Sequence, residues 1–412
     1  MIRASQHRHV LAVILAGGRG ERLHPLTQQR SKPSVPFGGA YRIIDFTLSN
    51  CVNSGYRRVY VLTQYKSQSL NEHLATNWSV FNAGLDEFVY PVPPQQLKEN
   101  LWYEGTADAI YQNLIHIRSQ NPRHLLVLSG DHIYKMDYAE LVAEHLKNDA
   151  DLTMSVMPYS RAESTGFGIV AMEADGRVTD FIEKPTDPPP MPGHDDLSLV
   201  NMGVYVFKAK SLYDALEGHA TAEGLTTRHD FGKHVIPALV KEGAKVYAVP
   251  FLDDEGKTPY WRDIGTLDSY FDANLDLVSV QPQFNLYEKK WPIRARGMQL
   301  PPVKTVFSGV DRAGRLLDSI ACGGVVVSGG TVSRSVLGPL VRVNSFAEVT
   351  ESILFENVQI GRRAIVRRAI IDKNVHVPAD CQIGVNPDLD RARGFVVTPS
   401  GLTVIPKGAT IT

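Results

Sequence analysis

Val10-Leu-Ala-Val-Ile-Leu-Ala16 runs straight into Gly17-Gly-Arg-Gly-Glu-Arg-Leu23, and Lys32-Pro33 follows shortly after. The apolar run has the length and β-branched content of a parallel strand buried on both faces. The glycines behind it let the backbone turn sharply and bring its N–H groups against an anion. Arg19, Arg22 and Lys32 add positive charge where a triphosphate would sit. The spacing lacks the third glycine of a dinucleotide fingerprint and the Gly-Lys-Ser/Thr of a P-loop, so it predicts a strand and a phosphate-handling loop of another kind.

Outward from that stretch, apolar runs alternate with amphipathic ones over roughly the first 280 residues, the pattern of a doubly wound, Rossmann-like α/β domain. Further strands are expected at Arg58–Thr63, 125–128, 152–157, Gly168–Met172 and 204–207, and helices at 45–54 and 106–119. The Pro-rich stretch 184–192 reads as a loop. Pro292, Gly297, Pro301 and Pro302 break the chain over 291–302, which marks the expected linker between 1–290 and 303–412.

Past the linker the chain repeats. Val332, Val349 and Val366 stand 17 apart, as do Ser335, Ser352 and Ala369, and Val341, Val358 and Val375. Inward aliphatics and small corner residues in step are what a parallel β-helix of hexapeptide type requires, with the one residue short of its usual coil absorbed at a corner. Its open coil ends and flat face suit contacts between copies.

With 412 residues, 43% apolar and 21% charged, the chain can bury a large core and should divide into about two domains. A net charge of −1 argues against nucleic acid as partner. Cys51, Cys322 and Cys381 form no C-x-x-C pair, which suits a reducing compartment and offers no zinc site. No run approaches the roughly 18 apolar residues of a membrane span, so a soluble cytoplasmic protein is expected.

Asp131 follows the apolar run 125–130 and so stands at the carboxyl end of a strand, where open α/β sheets bind ligands. With His132 behind it, this acid reads either as a Mg²⁺ ligand on a triphosphate or as the cap of a following helix. Asp263, in Tyr260-Trp-Arg-Asp-Ile-Gly-Thr266, is a second such carboxylate or a partner of Arg262. Glu183-Lys184-Pro185 offers a carboxylate to a sugar hydroxyl and an ammonium to a phosphate, or a surface ion pair. Gly168 permits a close backbone approach or a turn. Thr106 is the expected N-cap of the helix that follows Tyr103-Glu-Gly105. His7, His9, His73, His194 and His229 lack metal-ligand spacing and read as solvated or structural.

Taken together, Leu15-Ala-Gly-Gly-Arg-Gly-Glu-Arg-Leu23, Ser31-Lys-Pro33, Phe37-Gly-Gly39, Arg42-Ile-Ile-Asp-Phe46, Thr63-Gln-Tyr65, Trp102-Tyr-Glu-Gly-Thr-Ala-Asp108, Gly130-Asp-His-Ile-Tyr134, Phe181-Ile-Glu-Lys-Pro185 and Tyr260-Trp-Arg-Asp-Ile-Gly-Thr266 resemble the bacterial ADP-glucose pyrophosphorylases, or glucose-1-phosphate adenylyltransferases. The opening loop is shared by many sugar nucleotidyltransferases, whereas the two tryptophan motifs are far narrower. The resemblance runs from about residue 9 to the end. It implies an α/β fold: a Rossmann-like mixed-sheet nucleotidyltransferase domain, then a left-handed parallel β-helix used for oligomerisation and regulation, in a homotetramer. It also implies the reaction of ATP with α-D-glucose 1-phosphate to give ADP-glucose and pyrophosphate, the committed step of bacterial glycogen synthesis.

By the same resemblance Arg22, Lys32 and Asp131 are catalytic, Gly17, Gly18, Arg19 and Gln64 hold ATP, and Asp131 with Asp263 holds Mg²⁺. Tyr103, Gly168, Glu183, Lys184 and Asn201 fall on the glucose 1-phosphate positions, and Arg30 and Arg42 on basic positions of a region that binds anionic effectors. The implied partners are small molecules, without nucleic acid or membrane. Two departures stand out. Asn201-Met-Gly203 replaces the Ser-Met-Gly of many members, and Gln29 stands where members activated by fructose 1,6-bisphosphate carry lysine. Rival readings are a pyrophosphorylase using another nucleotide, a non-catalytic regulatory subunit, and a hexapeptide acyltransferase working through His376. Arg22, Lys32, Asp131 and Lys184 are all present, which speaks against the regulatory subunit.

Overall fold

The computed structural model describes residues 7–94, 102–222, 230–253 and 255–411; His229 and the first six residues lie outside them. Among the described residues, nine strands form one mixed sheet: β1 (Val10–Ala16), β2 (Arg58–Thr63), β3 (Phe88–Val92), β4 (His124–Ser129), β5 (Leu152–Ser160), β6 (Gly168–Met172), β7 (Val178–Glu183), β8 (Leu197–Lys208) and β9 (Val246–Pro250). β3, β2, β1 and β4 lie side by side and parallel. β8 runs antiparallel to β4, β5 and β6, β7 is antiparallel to β6, and β9 is parallel to β5.

The continuous apolar run of β1 follows from this place at the centre. Leu11 and Val13 enter one core cluster with Leu62 and Val127, while Val10, Ala12 and Ile14 enter another with Val61 and Leu128. Alternate side chains point to opposite faces, and both faces are covered by helices, so the usual polar alternation disappears. The edges behave differently. β3 carries Pro91 and leaves Tyr90 about half exposed, as an edge strand tolerates.

The expected 45–54 helix is α1 (Ile43–Asn53). The expected 106–119 helix is two, α2 (Thr106–Tyr111) and α3 (Leu114–Ser119). The break falls at Asn113, whose amide donates to the carbonyl of Ala109 and to the Tyr103 hydroxyl instead of facing solvent. Within β8, Asn201 pairs with Val156 and Tyr205 with Met154, so the chain bulges between them, with Gly203 at φ +70°.

Residues 304–405 contain three stacks of short parallel strands, the faces of the parallel β-helix. Their registers step by 17, as in Thr331↔Glu348, Glu348↔Ile365 and Ile365↔Gln382. The earliest pairing, Lys304↔Val326, spans 22 residues, and the coil after it steps by 16. Each 17-residue coil turns through one left-handed residue at each of three corners. Arg334, Glu351 and Arg368 form one row, Leu340, Asn357 and Asn374 a second, and Phe346, Arg363 and Asp380 a third, all with φ between 43° and 64°. The periodic serines are buried beside a corner. Ser335 Oγ accepts from the N–H of Ser352, and Ser352 Oγ from that of Ala369.

The β-helix and the α/β part share a core. Leu23, Phe37, Phe46, Ile133 and Phe271 pack in one cluster with Val336, Ile353, Phe355, Ile370, Leu402 and Val404. Residues 291–302 carry neither helix nor strand and are tied to α1, with Trp291 Nε1 donating to Asn50 Oδ1 and Asn53 Nδ2 to the Pro292 carbonyl.

Candidate active site

Lys32 opens a short 3₁₀ turn, Lys32–Ser34, and its side chain is almost wholly buried. Its ammonium donates to Asp131 Oδ2 at 2.9 Å and to Asp263 Oδ1 at 2.8 Å. Asp131 stands where β4 ends and accepts from the Ser129 hydroxyl too. Asp263 arrives from far along the chain because the short strand Trp261–Asp263 pairs antiparallel with His132–Tyr134, setting Asp263 opposite His132. Asp131 caps no helix, since a strand follows it, and Arg262 lies over the Tyr260 ring at 5.8 Å rather than on Asp263.

The neighbouring charges tune Lys32 and Asp131. Burial alone would lower the Lys32 pKa, but Asp131 and Asp263 outweigh it and hold the ammonium above its ordinary value. Burial alone would raise the Asp131 pKa, but Lys32, His132 and the Ser129 hydroxyl hold that carboxyl well below the usual range. Donor atoms of Asp131, His132 and Asp263 all lie within 4.8 Å of one another. The space between the carboxylates already accommodates a cationic group, so the residues present fit a divalent cation, with oxygen donors leading.

The glycine loop packs against this lysine. Gly20 has φ +63°, and a Cβ there would sit 2.8 Å from Lys32 Cβ. Thr27 Oγ1 fixes the turn by donating to the Gly20 carbonyl at 2.9 Å. Arg19 and Arg22 are free to reach a ligand, with 70% and 72% of their side chains exposed; Arg22 lies 3.9 Å from Asp263. A cavity of about 380 Å³ opens beside the loop, and Gly17, Gly18, Arg19, Lys32, Gln64, Tyr103 and Asp131 are among its walls. Gln64 Nε2 donates to the Tyr103 carbonyl, and the Tyr103 hydroxyl accepts from Asn113 at 2.8 Å.

Gly168, Glu183, Lys184 and Asn201 lie outside that lining. Gly168 is no turn. It opens β6 opposite Glu183, and a Cβ on it would come within 2.5 Å of the Phe181 ring and 2.9 Å of Glu183 Oε2. A Cβ on Gly232 would come within 2.4 Å of the same carboxylate, so two glycines make room for Glu183. Lys184, at φ +51° and 58% exposed, pairs with Glu183 at 3.0 Å. Asn201 sits in the β8 bulge, donating to the Tyr205 hydroxyl at 2.6 Å and accepting from Gly203 N.

Thr106 does not cap α2: Gly105 occupies that position, while the Thr106 hydroxyl accepts from Phe231 N and donates to Asp230. Asp230, which also walls the cavity, was not singled out from the sequence, although an acid just before Phe-Gly-Lys reads as an N-cap. His73 is structural, bonded with Trp78 Nε1 to the buried carboxylate of Asp45. Asp45 also accepts from Arg42 N, which accounts for the Arg42-Ile-Ile-Asp-Phe46 motif in packing terms.

Arg30 and Arg42 meet at a second cavity of about 330 Å³, with Gln29, Lys373 and Lys407 also in its wall. Arg30 is buried and forks onto Asp372 at 2.9 and 3.0 Å; Arg42 NH1 donates to the Ser69 carbonyl and hydroxyl. Burial pulls the Arg42 and Lys373 pKa values down.

The nucleotidyl transferase family profile matches residues 11–280, and a GlmU-like C-terminal hexapeptide profile matches residues 301–405. The chain is 49% identical to a glucose-1-phosphate adenylyltransferase of Rhodopirellula baltica, across 98% of this chain and 91% of that one. Against proteins of the same name from Vibrio cholerae and Frankia casuarinae it is 48% identical in each case, across 96% and 98% of this chain and 97% and 98% of theirs.

Proposed function

Since the chain belongs to the nucleotidyl transferase family, and within it to the glucose-1-phosphate adenylyltransferases, we propose that it makes ADP-glucose and pyrophosphate from ATP and α-D-glucose 1-phosphate at the Lys32–Asp131–Asp263 site. The observation that carries the site assignment is one ammonium held by two carboxylates that come from positions 99 and 231 residues away, beside the glycine loop.

A phosphate oxygen of glucose 1-phosphate attacks the α-phosphorus of ATP. The new O–P bond forms as the bond to the β-phosphate bridging oxygen breaks, and pyrophosphate leaves with that electron pair. The nucleophile is already an anion, so no general base is required. The protein's task is to screen like charges and align the entering and leaving oxygens. Gly17 and Gly18 offer backbone N–H groups to the triphosphate, Arg19 and Arg22 close over it, and Lys32 reaches the α- or β-phosphate. Gln64 lies beside the adenine. Enzymes of this kind use a divalent cation; here Asp131 and Asp263 would hold Mg²⁺, which supplies charge neutralisation on the phosphates.

Tyr103, Gly168, Glu183, Lys184 and Asn201 form the sugar-phosphate side, with Glu183 on hydroxyls and Lys184 on the phosphate. Residues 1–290 serve as the catalytic unit and 303–412 as the part used for assembly, as a homotetramer, and for regulation. The cavity at Arg42, Lys373 and Lys407 suits an anionic effector, whose charge would relieve the mutual repulsion of those cations. The setting is cytoplasmic; among the described residues no helix is long and apolar enough to cross a membrane.

The test is pyrophosphate release from ATP, UTP, GTP and dTTP with glucose 1-phosphate and Mg²⁺, each with and without fructose 1,6-bisphosphate, fructose 6-phosphate and pyruvate. ATP should dominate. Equal release from another nucleotide would overturn the adenylyl assignment, and none from folded protein would overturn the catalytic one.

A further inference from the structure

We propose that Asp372, a residue of the β-helix, is a positioning residue for the Lys32 ammonium and acts through Arg30. Asp372 is 1% exposed and Arg30 4%, and the two meet as a bidentate fork across 342 positions of sequence. Arg30 stands two residues before Lys32, with only the fully buried Ser31 between them. From Arg30 onward the backbone has little freedom. Ser34 N and Ser34 Oγ both donate to the Ser31 carbonyl, Val35 N donates to that of Lys32, and Pro33 fixes its own φ.

Asp372 is itself rigidly held. It follows the strand Ala369–Ile371, its N–H donates to the Ile405 carbonyl, and its Oδ1 accepts from Lys373 N at 2.6 Å. The entry to the lysine turn is therefore clamped to the β-helix wall by two parallel charge-assisted bonds, while the far end of the lysine is clamped by Asp131 and Asp263. A reacting group must be held to within about half an ångström of its productive place, and a supporting residue that loosens costs turnover before it costs affinity. The fork supplies that support from a part of the chain that touches none of the reacting atoms.

Two readouts test this, one of which does not depend on the adenylyl-transfer reading. In Asp372→Asn the acceptor of one guanidinium N–H is lost at constant shape. Lys32, mapped by mass spectrometry after a brief pulse of acetic anhydride on the full-length protein, should label at least fivefold faster than in the parent. kcat for pyrophosphate release should fall about tenfold, with the KM for glucose 1-phosphate within twofold, since Glu183 and Lys184 lie elsewhere. Unchanged Lys32 labelling in the folded variant overturns the proposal whatever the activity. Should Asp372→Asn fail to fold, Arg30→Lys keeps a buried ion pair but gives up the fork. It carries the same expectation, and parental labelling there is equally fatal. A parent protein that labels slowly at Lys32 yet releases no pyrophosphate would refute the functional reading and leave the positioning role to be judged on labelling.

Discussion

Replacing Asp131 by Asn keeps the shape of the site but takes one of two countercharges from Lys32 and an oxygen donor from the cation. The loss falls on the crowded α-phosphorus rather than on sugar binding. kcat should drop by about 10²–10³-fold, the size seen when one preorganised electrostatic group is removed, with the KM for glucose 1-phosphate changed far less. Lys184→Gln should do the reverse, raising that KM by about tenfold or more through a lost charge-assisted bond to phosphate while kcat stays near the parent's. Initial-rate kinetics on the two variants decide the matter, and a matching loss of kcat in both would contradict the division of roles. Away from the site, His145 is buried between Thr153 and His124, and burial pushes its pKa down to about 3. The unfolded chain takes up that proton near pH 6.5, so the stability tied to neutral His145 is complete above that pH and is lost as the pH falls towards 3. Between pH 7 and pH 5 this histidine should account for about 2 kcal/mol of destabilisation. Urea unfolding of the parent and of His145→Asn at both pH values measures it: parallel losses would show that the histidine is not the cause.

Among the elements, the loop and the coils carry separate expectations. Gly20→Ala forces a left-handed alanine, at about 1–2 kcal/mol, and drives its methyl into the Lys32 stem, so melting temperature and kcat should fall together. Ser352→Ala removes the hydroxyl that donates to the Thr350 carbonyl and leaves the Ala369 N–H buried without an acceptor, which should cost about 1–3 kcal/mol in denaturant unfolding and leave activity per folded molecule unchanged. These elements also show what sequence could and could not reveal. β1, β2 and β6 start and stop where their apolar runs do, because central strands buried on both faces have no other way to be written. β3 and β9 went unseen: they are five-residue edge strands, each carrying a proline, Pro91 and Pro250, that breaks the strand pattern. The repeat spoke plainly through 17-residue steps, but its left-handed corners are occupied by Arg, Glu, Leu and Phe as readily as by Asn, so residue type did not mark them. Lys32 and Asp131 were legible from charge and strand end. That Asp263 joins them came from the family resemblance alone and not from local pattern, since it depends on a pair of three-residue strands that lie far apart in sequence. The Arg30–Asp372 fork was equally invisible, being a contact between two halves whose docking no local pattern encodes.

For the whole molecule, the shared core makes the two halves one cooperative unit. Besides Arg30–Asp372, Thr398 and Ser400 donate to Asp268 across the boundary, and Phe271, Phe355 and Leu402 lie in the same apolar cluster. Calorimetry of the full chain should therefore give a single unfolding transition with equal calorimetric and van't Hoff enthalpies, and two resolved peaks would rule out this coupling. The shared cluster also has a history during synthesis. Leu23, Phe37 and Phe46 leave the ribosome early, yet Leu402 and Val404 of the same cluster are made more than 350 residues later. At about 5–20 residues per second the wait is roughly 20–80 s, and over its last roughly 8–30 s, once β9 has been made, a nascent chain able to form its whole sheet displays a greasy face to the cell. Holdase chaperones that recognise such faces are the natural escort of this polypeptide, and ribosomes stalled before the final coils would release it as an aggregate.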